Sequence, residues 1–468
     1  MKNKGSFGAC RAPLILVLII TALCCLTACG GEAVAAKSDI TEKMEATLET
    51  DSLGYDYAVD YVYHWGIRNI NAEKISWVER MFSVYYNYEG GLPAALEHAR
   101  RTTEMFLAEY YDLIDLSSRE AVTDALLTCY VDSIGDPYSI YRVAEEFDDF
   151  STDMSGKFGG IGALVEYNHQ NKTLRVSSVY IDSPAASAGI LPGDYFYAVD
   201  GKTVEEIGYL DVIDKVRGEI GSSVKLTMKR DDSLIDFTVI RAEIEKKTVG
   251  YSISDEKIGY IQITGFKGNT FKQFAEAVDF MEANDAEGII FDLRANPGGY
   301  LTTVCDMLSY IVPTDHPIVS YQYKGKVTNV IKSYDDIHPT LKDETDVTKP
   351  KVFDHKIEIP MAVICNEYTA SAGEIFTAAL RDWRQDGLLE AVIVGKTTYK
   401  KGIMQNTYQY TDGSSITITV AYYNPPCGEN YHGIGVIPDF EVDNTAEADL
   451  QFEKAIEELQ KLINANNS

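Results

Sequence analysis

The chain has 468 residues, a formal net charge of −29, 45% hydrophobic and 24% charged residues. That size and apolar content fit a globular protein of about two to four domains. So acidic a surface excludes nucleic acid and anionic lipid headgroups as favoured partners and says nothing about fold.

Residues 1–28 read as a secretory signal. Lys2, Lys4 and Arg11 make a basic start before an apolar run over residues 14–26, too short to be read first as a membrane span. The sequence Leu26-Thr27-Ala28-Cys29-Gly30 resembles a bacterial lipobox, which implies lipidation of Cys29. Two or more acyl chains would hold the protein stably on the extracytoplasmic side of a bacterial membrane. Residues 29–50 form a small-residue and charged spacer.

Residues 51–152 have helical spacing of apolar residues, as in Ala94, Ala95, Ala99 and Phe106, then Ala121, Ala125, Leu126 and Cys129. Gly135-Asp136-Pro137 is a turn that ends a helix. Residues 153–243 change to short strands, at 163–167, 174–179, 195–199, 224–229 and 235–239, with short helices at 184–188 and 210–216. This order, with Ser183-Pro184-Ala185 and Leu191-Pro192-Gly193-Asp194, resembles a PDZ domain. The resemblance implies that Gly159, Gly160, Ile161 and Gly162 form the loop that aims backbone N–H groups at a peptide's terminal carboxylate. The peptide would pair with the strand that follows.

Residues 244–445 alternate strand and helix: strands at 258–263, 288–293, 361–365 and 391–394, helices at 271–283, after Pro297-Gly298-Gly299 to 311, and at 371–381. Residues 322–360 are polar and read as a long surface excursion, and residues 446–468 as a C-terminal amphipathic helix. The fold class expected is multidomain α/β.

Ser371 follows a short apolar strand and a turn and opens a helix, whose N-terminus favours developing negative charge. Ala372 N–H is a candidate oxyanion donor, and Gly298 or Gly299 permits close approach of a second. By itself this segment favours reading Ser371 as a helix cap, since Ser is a preferred N-cap residue. The chain has no G-x-S-x-G elbow and no histidine placed for a triad, which leaves a Ser-Lys pair. A lysine acts as base only when neutral, so its pKa of about 10.4 must fall by roughly 3 units.

Four islands settle the register: Asp292-Leu293-Arg294-Ala295-Asn296-Pro297-Gly298-Gly299, NEYTASAGE at 366–374, GKTTYKKGIMQ at 395–405, and Gly433-Ile434-Gly435-Val436-Ile437-Pro438-Asp439. In order they resemble the C-terminal processing (tail-specific) serine peptidases over about residues 51–440. The resemblance implies a crotonase/ClpP-like α/β protease core with an inserted PDZ domain and an N-terminal helical region. It implies Ser371 as nucleophile, Lys401 as base and Gln405 as the residue that orients the amine. Arg294, Asn296 and Asp439 would support turns, and Arg217 would link peptide binding in the PDZ unit to the active site. It implies protein substrates taken by their C-terminal tails, PDZ gating, possible homodimers through the N-terminal helices, and no metal or organic cofactor. The eight cysteines form no C-x-x-C pair and the seven histidines no H-E-x-x-H, in keeping with that.

The sequence departs from the family in Lys400, where Gly is usual, in Lys396, where Glu is usual, and in a longer link at 383–390, read as a surface loop insertion. The changes at Lys396 and Lys400 keep a second reading open, a catalytically impaired PDZ scaffold lipoprotein that binds C-terminal peptides. A solute-binding lipoprotein would explain the anchor but not the PDZ-like order or the NEYTASAGE segment.

Overall fold

The computed structural model describes residues 70–86, 118–168, 170–209, 211–312, 316–323, 326–332 and 355–466. The signal segment, Cys29, the spacer and the helical spacing at 94–106 lie outside the described residues. Among the described residues no helix is long and apolar enough to cross a membrane. They divide into two units, one drawn from Met1–Phe147, Tyr323–Gly325 and Met404–Ala421, the other from Asp148–Gln322, Lys326–Ile403 and Tyr422–Ser468.

The first unit begins with α1 (Ala72–Tyr85), capped by the Asn71 side chain, which accepts the Lys74 N–H at 3.1 Å. Helix α2 (Arg119–Asp132), capped by Ser118, buries Leu126 and Cys129 of the spacing that predicted it, together with Val122 and Leu127, while Ala121 is exposed. Strand β1 (Ile140–Arg142) follows. Lys74 is buried between the carboxylates of Asp124 at 2.7 Å and Asp412 at 2.8 Å. Only paired charges survive such burial.

Helix α3 (Ala144–Ser155) leads to β2 (Lys157–Gly160) and then β3 (Ala163–Asn168), β4 (Thr173–Val179), α4 (Pro184–Ala188), β5 (Tyr195–Val199) and β6 (Lys202–Thr203). After α5 (Val204–Ile207) and α6 (Val212–Val216) come β7 (Ser223–Arg230), β8 (Ser233–Ile240) and β9 (Ala242–Glu245). Strands β3, β4, β5, β7 and β8 form one sheet in that order, with β6 paired to β5. Its core holds Val176, Ile190, Leu226 and Met228. Gly189 stops α4 at φ +85°, a value that suits glycine. The buried Asp194 carboxylate accepts the Leu191 N–H at 2.9 Å and the Arg230 Nε–H at 2.7 Å, which closes the Leu191–Asp194 turn. Arg230 holds the Asp194 carboxyl below the usual carboxylate range.

The α/β part has β10 (Val249–Ile253), β11 (Ile258–Ile263), α7 (Thr270–Ala283), β12 (Gly288–Asp292), α8 (Leu301–Ile311), β13 (Val319–Tyr323), β14 (Lys326–Ile331), β15 (Met361–Cys365), α9 (Ala372–Gln385) and β16 (Ala391–Gly395). The chain ends with β17 (Ile403–Gln409), β18 (Ser415–Asn424), β19 (Phe440–Glu441) and α10 (Leu450–Asn466). The main sheet runs β10-β11-β12-β15-β16-β19, parallel from β11 onward. Every residue of β12, β15 and β16 is buried, as expected of parallel strands covered on both faces. Ala455, Leu459 and Ile463 of α10 cover Ile290, Ile364 and Val394 on one face. Phe274 of α7 and Phe376 of α9 pack on Phe291. Each such fully buried side chain stabilises the fold by about 1.5–3 kcal/mol.

Three expectations change. The polar excursion from 322 opens with the strands β13 and β14. The link at 383–390 is no surface loop at its start: Trp383 to Gln385 extend α9, and the buried Trp383 donates its indole N–H to the Pro317 carbonyl at 3.0 Å. Residues 404–421, read with the protease core, bury Ile416 and Ile418 in the first unit beside Val78, Phe82, Val122 and Leu126.

Candidate active site

In an open α/β sheet, loops that follow the C-terminal ends of parallel strands gather in one crevice. Here the loops after β12, β15 and β16 are joined by hydrogen bonds. Asn296 is fully buried; its Oδ1 accepts the Gly298 N–H at 2.8 Å, its Nδ2 donates to the Ile263 carbonyl at 2.8 Å, and its own carbonyl accepts the Ala370 N–H at 2.9 Å. Asp292 accepts the Arg294 guanidinium, which also reaches Asp449 at 2.6 Å. Asp439 receives Arg384 through both carboxylate oxygens and the Ile393 N–H at 2.8 Å. Arg294, Asn296 and Asp439 thus brace the turns, as expected.

Ser371 stands at the start of α9 with φ +53° and ψ −116°, and the Gly373 N–H closes a tight turn on the Ala370 carbonyl at 2.9 Å. A serine in this region is strained by about 1–3 kcal/mol, and functional sites are where such strain collects. Its hydroxyl lies 3.0 Å from the Tyr423 hydroxyl.

Glu374, three residues on, is fully buried. Its Oε2 accepts the N–H of Ser371 at 2.9 Å and of Lys401 at 2.8 Å. Its Oε1 accepts the Lys400 N–H at 2.7 Å and the Thr398 hydroxyl at 2.6 Å. Burial raises the Glu374 carboxyl above the usual range, and these donors oppose that rise. Thr398 in turn accepts the Val436 N–H at 2.7 Å, and the Tyr399 N–H reaches the Thr369 carbonyl at 2.9 Å. The four islands, the third as far as Ile403, therefore meet around one carboxylate. Neither Glu374 nor Tyr423 was singled out from sequence. Ser-x-x-Glu ahead of an apolar run is the legible signal for the first; nothing local marks the second.

Gly298 presses on Ser371: a Cβ there would lie 2.8 Å from Ser371 Cβ and 3.0 Å from Ala372 N. Its own N–H is occupied by Asn296. That corrects its candidacy as an oxyanion donor. Among the described residues, the N–H groups of Ala372 and Gly299 have no protein acceptor.

Lys401 precedes Gly402, whose N–H donates to His432 Nδ1 at 3.3 Å. A Cβ on Gly402 would stand 2.8 Å from His432 N, so the backbone passes where no side chain fits. Lys400 has φ +82° and an exposed side chain, which resolves its departure from the family's glycine as backbone strain. Lys396 pairs on the surface with Asp443 at 2.6 Å and Glu441 at 3.4 Å. Gln405 belongs to the first unit, where its Nε2 donates to Thr419 Oγ1 at 3.3 Å.

In the PDZ-like sheet the expected glycine loop is shorter. Gly159 and Gly160 are strand residues of β2, opposite Glu243 and Ala242 of β9, because this pairing takes up their backbone. Ile161 is buried and Gly162 turns at φ +75°. The Arg217 guanidinium lies over the Phe158 ring at 4.9 Å.

Residues 257–442 match the model for Peptidase family S41, and residues 175–230 match a PDZ domain model. A carboxy-terminal processing protease CtpA of Bacillus subtilis is 33% identical over 73% of this chain and 67% of its own length. A probable CtpA-like serine protease of Staphylococcus haemolyticus is 34% identical over 69% of this chain and 60% of its own. The chain thus spans about three fifths to two thirds of these relatives' length. The solved photosystem II D1 C-terminal processing protease aligns with a TM-score of 0.43 and 20% identity, over 78% of this chain and 91% of that one.

Proposed function

Because the chain belongs to peptidase family S41, we propose that it is a serine endopeptidase with Ser371 as nucleophile and Lys401 as base, cleaving extracytoplasmic proteins near their C-termini. The observation that carries this reading is the shared Glu374 carboxylate, which fixes the backbones of Ser371 and Lys401 together.

The neutral Lys401 amine takes the Ser371 Oγ proton as Oγ attacks the scissile carbonyl. The carbonyl oxygen becomes an oxyanion that the N–H groups of Ala372 and Gly299 receive at the N-terminus of α9. The C–N bond breaks, the lysine ammonium returns its proton to the leaving amine, and water hydrolyses the acyl-enzyme with Lys401 again as base. On the family register Gln405 orients the amine.

The PDZ unit takes the substrate's C-terminal tail, its carboxylate at Ile161 and Gly162 and its backbone along β3. Cys29 carries the lipid that keeps the enzyme at the bacterial envelope. Protein lacking the signal, from about Gly31 onward, is to be tested on an unstructured protein with an apolar C-terminus. Cleavage lost in both Ser371→Ala and Lys401→Ala supports the reading. An inert wild type that still binds tails replaces it with the scaffold.

A further inference from the structure

Tyr423 reaches the nucleophile from the end of β18. Its backbone N–H donates to the Gly402 carbonyl at 3.2 Å, and the Asn430 amide spans the Gly402 carbonyl at 2.9 Å and the Tyr423 carbonyl at 2.7 Å. Strand β13 holds it from the other side, through Tyr321. The side chain is buried, and its hydroxyl lies 3.0 Å from Ser371 Oγ and 3.5 Å from the Lys401 carbonyl. Either hydroxyl can donate in the shorter contact, but a phenol has one proton to give, and a hydroxyl bond weakens steeply beyond about 3 Å, which favours Ser371 Oγ over the Lys401 carbonyl as its acceptor.

We propose that Tyr423 is a catalytic residue that donates its phenol hydrogen bond to Ser371 Oγ and stabilises the alkoxide character that develops there. This rests on Ser371 being the nucleophile. With the phenol as donor, the serine proton is left free to pass to the Lys401 amine, and Oγ never carries its growing charge unsupported. Tyr423 keeps its own proton throughout; only the Ser371 proton moves, to Lys401. A buried, neutral donor is strong here because no water competes for it.

The test is covalent labelling of the full chain by a fluorophosphonate, in which Ser371 Oγ bonds to phosphorus and fluoride leaves. Tyr423→Phe should label about 10- to 100-fold more slowly, with kcat falling by a similar factor and KM for a peptide substrate little changed. The pH profile of labelling follows Lys401 and should keep its position while its plateau falls. If Tyr423→Phe does not fold, fluorotyrosine at position 423 decides the matter: a more acidic phenol is a stronger donor and should raise the labelling rate at pH values below its own ionisation. Labelling by Tyr423→Phe at the wild-type rate or faster, or by the fluorotyrosine variant no faster than wild type, overturns the proposal. Ser371→Ala is the separate control. Wild-type labelling in that variant would remove the nucleophile reading itself, whatever Tyr423 does.

Discussion

Ser371 and Lys401 hang from a single oxygen atom: Glu374 Oε2 accepts the backbone N–H of the first at 2.9 Å and of the second at 2.8 Å. Each buried donor left without its acceptor costs about 1–3 kcal/mol. Glu374→Ala would strand several at once, and Glu374→Gln would set an NH₂ group against them. Both variants should lose at least about 100-fold in kcat, with PDZ peptide affinity unchanged. Steady-state kinetics beside peptide titration checks this; near-normal kcat in Glu374→Ala would show that the loops hold without the carboxylate.

Lys400 has φ +82° where glycine carries no steric penalty. Lys400→Gly should raise the melting temperature by an amount equivalent to about 0.5–1 kcal/mol, since relief of strain is partly offset by a more flexible unfolded chain. Its side chain is exposed, so the pH dependence of kcat/KM should not move. A loss of activity confined to high or low pH would instead assign its charge a role.

Burial raises the Asp132 carboxyl from 3.8 to about 6. Between those values the folded chain keeps a proton that the unfolded chain releases, so this group's cost to stability grows as pH rises through the window and is complete above it. Asp132→Asn should leave stability unchanged near pH 3.5 and raise it at pH 7 by roughly 1–2 kcal/mol after solvent screening. Urea denaturation at both pH values measures it.

Arg217 stacks on Phe158, in the strand that leads to the proposed peptide loop. Arg217→Ala should keep tail affinity within about twofold and lose activation by added peptide, as the exposed face of a cation–π pair contributes only about 0.5–1 kcal/mol to folding. Unchanged activation would confine Arg217 to packing.

Much of the sheet was legible because parallel strands are short unbroken apolar runs: residues 361–365 are hydrophobic throughout, and all are buried. Ser371 was legible from its motif and from the helix it opens. Glu374 stood in the same motif, yet a buried carboxylate with four protein donors looks, in one dimension, like an ordinary capping glutamate. Tyr423 could not be read at all: it lies 52 residues beyond Ser371 and arrives through the pairing of β18 with β13. Gly159 and Gly160 misled because the PDZ resemblance placed them in the carboxylate loop, whereas the reason for Gly159 is a close backbone, with a Cβ there 1.9 Å from the Gly218 carbonyl oxygen. Trp383 misled for the opposite reason, its tryptophan serving as an anchor inside what read as an added loop.

The Glu374 tether also limits how such an enzyme can idle. With the main chains of Ser371 and Lys401 pinned to one carboxylate oxygen, they cannot drift apart while those bonds last. One off state that keeps the tether needs only a change of rotamer, in which the long lysine side chain swings away from the serine while its root stays still. Such a switch turns over by rotation about a few single bonds rather than by movement of a loop, and it leaves the site assembled in both positions.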